Sequence, residues 1–180
     1  MIYKNDAVEK KAVFEVAGLM AAAARTAPKT KGVDNIVVLI VDGDEKDAIT
    51  EEMRNISERY DSEMTKMSYA RDAGCVDASD YLVLIGVRDN PAGLFPCGTC
   101  GFENCSAAVN AGARCAFNFS DLGTATASAV IVAAQNFIDN RIMNTAGKAA
   151  MEIDAFGEPV IRGYGIPVSA RGKNIYFDRK

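Results

Sequence analysis

Apolar residues at Val8, Ala12, Val16, Leu19 and Ala23 recur every three or four positions, which predicts a helix over residues 8 to about 24 with one stripe turned inward. Its alanine content predicts close packing on another element. Pro28, Gly32 and the polar residues between them end it. Ile36–Val41 (IVVLIV) follows as a β-branched run without alternation, the pattern of a strand covered on both faces. After a turn at Asp42, Gly43 and Asp44, the residues Ile49, Met53, Ile56, Tyr60, Met64 and Met67 trace a second amphipathic helix. Tyr81–Val87 (YLVLIGV) is a second buried strand. A Pro/Gly/Cys-rich segment covers residues 90 to 105, and a short Ala-rich stretch leads to Cys115. Ser120 or Asp121 is placed to cap a long helix over residues 122 to 137, apolar nearly all round and so expected to be buried. Residues 139 to 150 read as another helix. The tail, with Gly157, Pro159, Gly163, Gly165 and Pro167, reads as extended segments and turns ending in NIYFDR. This order predicts an α+β domain of layered α/β kind, with no internal repeat or linker.

The chain has 180 residues, 49% hydrophobic and 24% charged, which fits a single folded domain over residues 1–180. A net charge of −4 and the lack of any Lys/Arg run with interleaved aromatics argue against nucleic acid or an anionic membrane as a partner. The opening MIYKNDAVEKKAVFEV mixes acids with bases and does not read as a signal peptide. The two apolar runs are far short of the roughly 20 residues needed for a membrane helix. A cytoplasmic protein is expected.

The chain contains no histidine, which removes Ser-His-Asp and Cys-His nucleophile systems and His-ligated zinc hydrolase sites. Any chemistry therefore rests on a cofactor, carboxylates, Lys, Tyr or Cys. There are five cysteines, and four fall within CGTCGFENCSAAVNAGARC as C-x2-C-x4-C-x9-C. In a reducing compartment such spacing indicates metal ligands rather than structural disulfides. A C-x2-C pair binds one centre from a single turn, and Gly98 and Gly101 let the backbone curl so that N–H groups face the sulfurs. Cys105 lies near a predicted helix start, which favours its thiolate. Cys97, Cys100, Cys105 and Cys115 are thus the candidate ligands of one centre, a [4Fe-4S] cluster, with a four-thiolate zinc site as the alternative. Four thiolates on four irons leave no open coordination position, so one-electron transfer is favoured over substrate chemistry at the metal. Cys75, in DAGCVDASDYL, reads as a core residue and is the substitute ligand should Cys115 not serve.

CGTCGFENC followed by AGARC resembles the four-cysteine iron-sulfur segment of corrinoid iron-sulfur proteins and of the electron-transport complex B subunit, with a shorter last spacer here. As a whole the chain resembles the uncharacterised ferredoxin domain-containing proteins of anaerobic bacteria and archaea. A second resemblance covers more of the chain. VFEVAGLMAAAARTAPKTKGVDNIVVLIVDGDEKDAI is similar to the nitroreductase opening, and DLGTATASAVIVAAQNF to the long helix at the nitroreductase dimer interface. The resemblance implies a nitroreductase-like sheet with a buried Ala-rich helix, the cysteine segment being an insertion after the second strand. It also implies an FMN-binding homodimer. Arg25, Lys29 and Lys31 then become candidates for the FMN phosphate, although the Arg-Ser-x-Arg clamp is missing and Val33-Asp34-Asn35 replaces the usual Gln/Asn-Pro-Trp.

Three functions remain open at this point: an electron carrier or redox subunit with an unknown redox partner, a flavin oxidoreductase fed through the cluster, and a zinc-stabilised interaction domain. The basic residues Arg25, Lys29 and Lys31 equally suit a helix C-terminus. Asn140, Arg141 and Asn144 form a polar turn that capping explains as well as a ligand would. Gly163, Gly165, Gly172 and Lys173 carry no recognised phosphate-binding pattern.

Overall fold

A computed structural model describes residues 1–177, so Asp178 and Arg179 of the closing NIYFDR lie outside the described residues. The elements are α1 (Asn5–Thr26), a 3-10 turn (Thr30–Gly32), β1 (Ile36–Val41), α2 (Gly43–Arg59), α3 (Glu63–Asp77), β2 (Tyr81–Val87), α4 (Cys105–Asn110), α5 (Ala116–Gln135), β3 (Asp139–Asn140), α6 (Asn144–Glu152) and β4 (Arg162–Ser169). The sheet order is β1-β2-β4-β3 and every pairing is antiparallel, with Leu84 between Leu39 and Gly165.

β2 explains the layering. Its alternate residues point to opposite faces, and all seven are buried. Tyr81, Val83, Ile85 and Val87 join a cluster with α1 and α5, whereas Leu82 and Leu84 join one with α2, α3 and α6. The result is the expected α+β fold: one small sheet between two helical layers. β1 differs from expectation because it is an edge strand, and residues 38–41 are only half-buried.

Several helices depart from the periodicity reading. α1 buries Val13, Val16, Ala17, Met20 and Ala24, while Val8 and Leu19 face outward. An Ala-rich helix offers two apolar stripes of the same period, and packing against α5 and the sheet selects between them. The expected second helix is two helices, broken at Tyr60–Ser62, where the Ser62 hydroxyl accepts from the Thr65 N–H at 3.4 Å and starts α3. Met64 and Met67 consequently lie on the surface. The predicted helix over residues 139–150 is a short strand followed by α6. α5 begins six residues earlier than expected, and it buries one face only: Leu122, Ala125, Ala129 and Ala133 are covered, Ile131 and Ala134 exposed.

Lys46, on the first turn of α2, is buried, and its ammonium donates to the carbonyls of Val76 (3.2 Å), Asp77 (3.3 Å) and Ser79 (2.8 Å). It closes the C-terminal end of α3, where cations are favoured and carbonyls lack helical donors. Lys46→Met keeps the apolar stem and removes those three bonds, so urea unfolding should show a loss of about 2 kcal/mol. A change below about 0.5 kcal/mol would mean that water replaces the ammonium without cost.

Candidate metal centre

Between β2 and α5 the chain makes a loop, the single short helix α4 and a second turn. Gly101 takes φ +87°, a conformation that favours glycine, and its N–H donates to the Gly98 carbonyl at 2.8 Å. That bond curls the segment between Cys97 and Cys105. Asn104 starts α4 by accepting from the Ala107 N–H at 2.9 Å, which sets Cys105 as the first helical residue. Cys115 occupies the N-cap position of α5, a 20-residue helix whose positive end lies at that residue.

These constraints bring all four predicted cysteines to the wall of one pocket, whose lining is otherwise largely apolar and includes Leu94, Ala108, Val109 and Phe117. Each of the four is half-buried and has a free thiol. Cys97 Sγ lies 3.7 Å from the Thr99 hydroxyl. The Thr99 N–H, the Thr99 hydroxyl and the Gly98 N–H together hold the Cys97 thiol below its ordinary pKa, favouring the thiolate. The Ala92 N–H donates to Cys115 Sγ at 3.5 Å. Among the described residues, no three Cys, His, Asp or Glu side chains meet closely enough to hold a single ion.

Two buried polar residues on α5, unrecognised as site residues by sequence reasoning, hold this architecture. Asn118, 2% exposed, donates from Nδ2 to the Arg88 carbonyl at 3.3 Å and so ties the helix to the loop that supplies Ala92. Asp121 is not a cap. It lies on the second turn and accepts from the Thr30 N–H (3.1 and 3.0 Å) and the Thr30 hydroxyl (2.9 Å). Their i, i+3 spacing, which puts both on one face of the helix, was the available signal.

The remaining candidates separate from the cysteine cavity. Cys75 is buried in the cluster on the other side of the sheet, with its Sγ 3.8 Å from the Ile175 carbonyl, and burial, then Asp72, pushes its pKa up. Arg25 donates to the Ile36 carbonyl at 2.6 Å and pairs with Asp34. Lys29 donates to the carbonyls of Arg25 and Ala27. Lys31 sits in the 3-10 turn with φ +57°, its ammonium near Gly93 of the cysteine loop. Of the polar turn, Arg141 donates to the Tyr176 carbonyl at 3.1 Å. Gly163 and Gly165 serve packing: a Cβ on Gly165 would lie 2.6 Å from the Ala146 Cβ.

Residues 111–179 match a family described as "Uncharacterized protein containing a ferredoxin domain". A protein of Archaeoglobus fulgidus, described as an uncharacterized protein, is 39% identical over 185 residues, spanning 98% of this chain and 94% of its own. The fold is similar to that of an FMN-bound nitroreductase from Bacteroides fragilis (TM-score 0.59, 12% identity, 88% of this chain and 79% of that one). It is also similar to a BluB-like flavoprotein from Clostridium difficile (TM-score 0.55, 16% identity, 92% and 84%). An iodotyrosine deiodinase bound to FMN and 3-iodo-L-tyrosine gives a TM-score of 0.59 at 9% identity, over 89% and 80%. At such identities the likeness is one of fold, and it agrees with the nitroreductase-like layout expected from the sequence. No helix among the described residues is long and apolar enough to cross a membrane.

Proposed function

The chain belongs to the family of uncharacterised proteins containing a ferredoxin domain, and from that premise we propose that it is a [4Fe-4S] protein, ligated by Cys97, Cys100, Cys105 and Cys115, that carries single electrons. The observation carrying this reading is the convergence of four thiols on one apolar cavity. The donor set fits the group. A lone zinc ion, at about 2.3 Å from each sulfur, would gather the thiolates to a point, whereas a four-iron core spreads them around itself. When bound, such a centre supplies one electron at a time. The chain's own part is to hold four thiolates, to shield them with Leu94 and Phe117, and to place the Ala92 N–H and the Thr99 hydroxyl beside the sulfurs.

The fold likeness to FMN-bound proteins favours a second reading, a flavin oxidoreductase fed through the cluster. Arg25 and Lys29 already serve backbone carbonyls and Asp34, which leaves Lys31 as the candidate cation of the three. The uncharged outer face of α5, with Gly123, Thr124, Ala127, Ile131 and Ala134 exposed, suits a second copy of the chain in a homodimer. We read the protein as one domain, because both apolar clusters share one sheet, and place it in the cytoplasm.

Anaerobic purification followed by visible spectroscopy, with iron, sulfide, zinc and flavin assays on the same sample, tests these readings. About four irons and four sulfides per chain, with broad brown absorbance, are expected. Stoichiometric flavin beside them would promote the second reading. Zinc alone, at about one per chain, would overturn both.

A further inference from the structure

We infer that the Thr99 hydroxyl, hydrogen-bonded to Cys97 Sγ, is a positioning group that raises the electron affinity of the centre. This rests on the reading that the four cysteines hold an iron-sulfur cluster. Thr99 lies between the two cysteines of the C-x2-C pair, lines the cavity they share, and has its Oγ1 3.7 Å from Cys97 Sγ. In the free chain the Cys97 thiol donates to the Thr99 hydroxyl; a ligating thiolate carries no proton, so there the hydroxyl would be the donor, beside backbone donors such as the Ala92 N–H on Cys115 at 3.5 Å. Backbone donors survive substitution, so the Thr99 hydroxyl is the contact that side-chain identity controls. Reduction adds one negative charge, which is shared with the ligand sulfurs. A hydroxyl donating to one of them binds the reduced form more strongly than the oxidised form, and hydrogen bonds to sulfur are among the determinants of cluster potential. Thr99 is exposed, so removing its hydroxyl empties no buried space.

The test compares wild type, Thr99→Val and Thr99→Ser, each purified anaerobically and titrated against redox mediators while cluster absorbance is followed. Thr99→Val keeps the shape and loses the hydroxyl. It should retain full iron and sulfide, yet at a fixed solution potential its reduced-to-oxidised ratio should fall about fivefold, the scale separating a charge-assisted from a neutral hydrogen bond. Thr99→Ser should restore the wild-type ratio. Full iron in Thr99→Val with an unchanged ratio would overturn this inference and leave the iron-sulfur reading standing. Loss of iron from Thr99→Val would overturn it differently, by making Thr99 necessary for assembly. A wild-type chain carrying zinc and no iron would overturn both.

Discussion

Changing Cys97, Cys100, Cys105 or Cys115 singly to serine should deprive the chain of most of its iron and sulfide, whereas Cys75→Ser should keep both. Thiolates satisfy the soft iron of a cluster, and a serine hydroxyl at neutral pH does not replace one. The four cysteines share a cavity, while Cys75 packs in the apolar cluster across the sheet. Cys75→Ser should instead cost stability, about 1 kcal/mol, by placing a hydroxyl among apolar neighbours. Cys115→Ser is the most informative variant. Position 115 is the N-cap of α5, where serine is among the preferred residues, so the helix should persist as the metal is lost. Iron and sulfide analysis of anaerobic samples, with circular dichroism to confirm folding, reads both effects. Iron held by Cys115→Ser but lost from Cys75→Ser would transfer the fourth ligand to Cys75.

Gly147→Ala should destabilise the fold by about 3 kcal/mol, although alanine is the better helix former by about 1 kcal/mol. A Cβ at Gly147 would lie 2.1 Å from the Gly163 carbonyl oxygen and 2.6 Å from the Tyr164 Cα, both backbone atoms. Neither can swing aside. α6 cannot retreat freely either, because Met143 and Gly165 exchange backbone bonds of 2.8 and 3.0 Å at its start. Gly74→Ala is the matched control: it lies in α3, exposed, with nothing within 4 Å of its Cβ position, and should gain up to about 1 kcal/mol. Urea melts of the two variants should move in opposite directions. Equal, small shifts would mean that α6 can stand off β4, and that the glycines there are not required by contact.

Legibility followed the range of the interactions. The strands β1 and β2 were readable to the residue because six or seven consecutive apolar residues bounded by turns leave little choice. The break between α2 and α3 was less visible, since neither proline nor glycine marks it and Ser62 makes only a single cap bond. Asp121 looked like a cap because it is a good capping residue before an apolar run. Its actual partner, Thr30, is 91 residues away. The convergence of the four cysteines after β2 depends on contacts that their spacing alone does not specify. In this antiparallel sheet, the loop to α4 and the start of α5 form the cavity.

By itself the sequence determined that four cysteines fall within nineteen residues at C-x2-C-x4-C-x9-C spacing, that no histidine chemistry is available, and that apolar strands alternate with helices. Each of these follows from residue identity and spacing within one or two turns of chain. Only the tertiary structure decided which stripe of α1 faces inward, why Gly147, Gly163 and Gly165 must be small, and that Asn118 and Asp121 anchor the helix beginning at Cys115. Those outcomes depend on contacts between residues distant in the chain, whose geometry local periodicity does not encode.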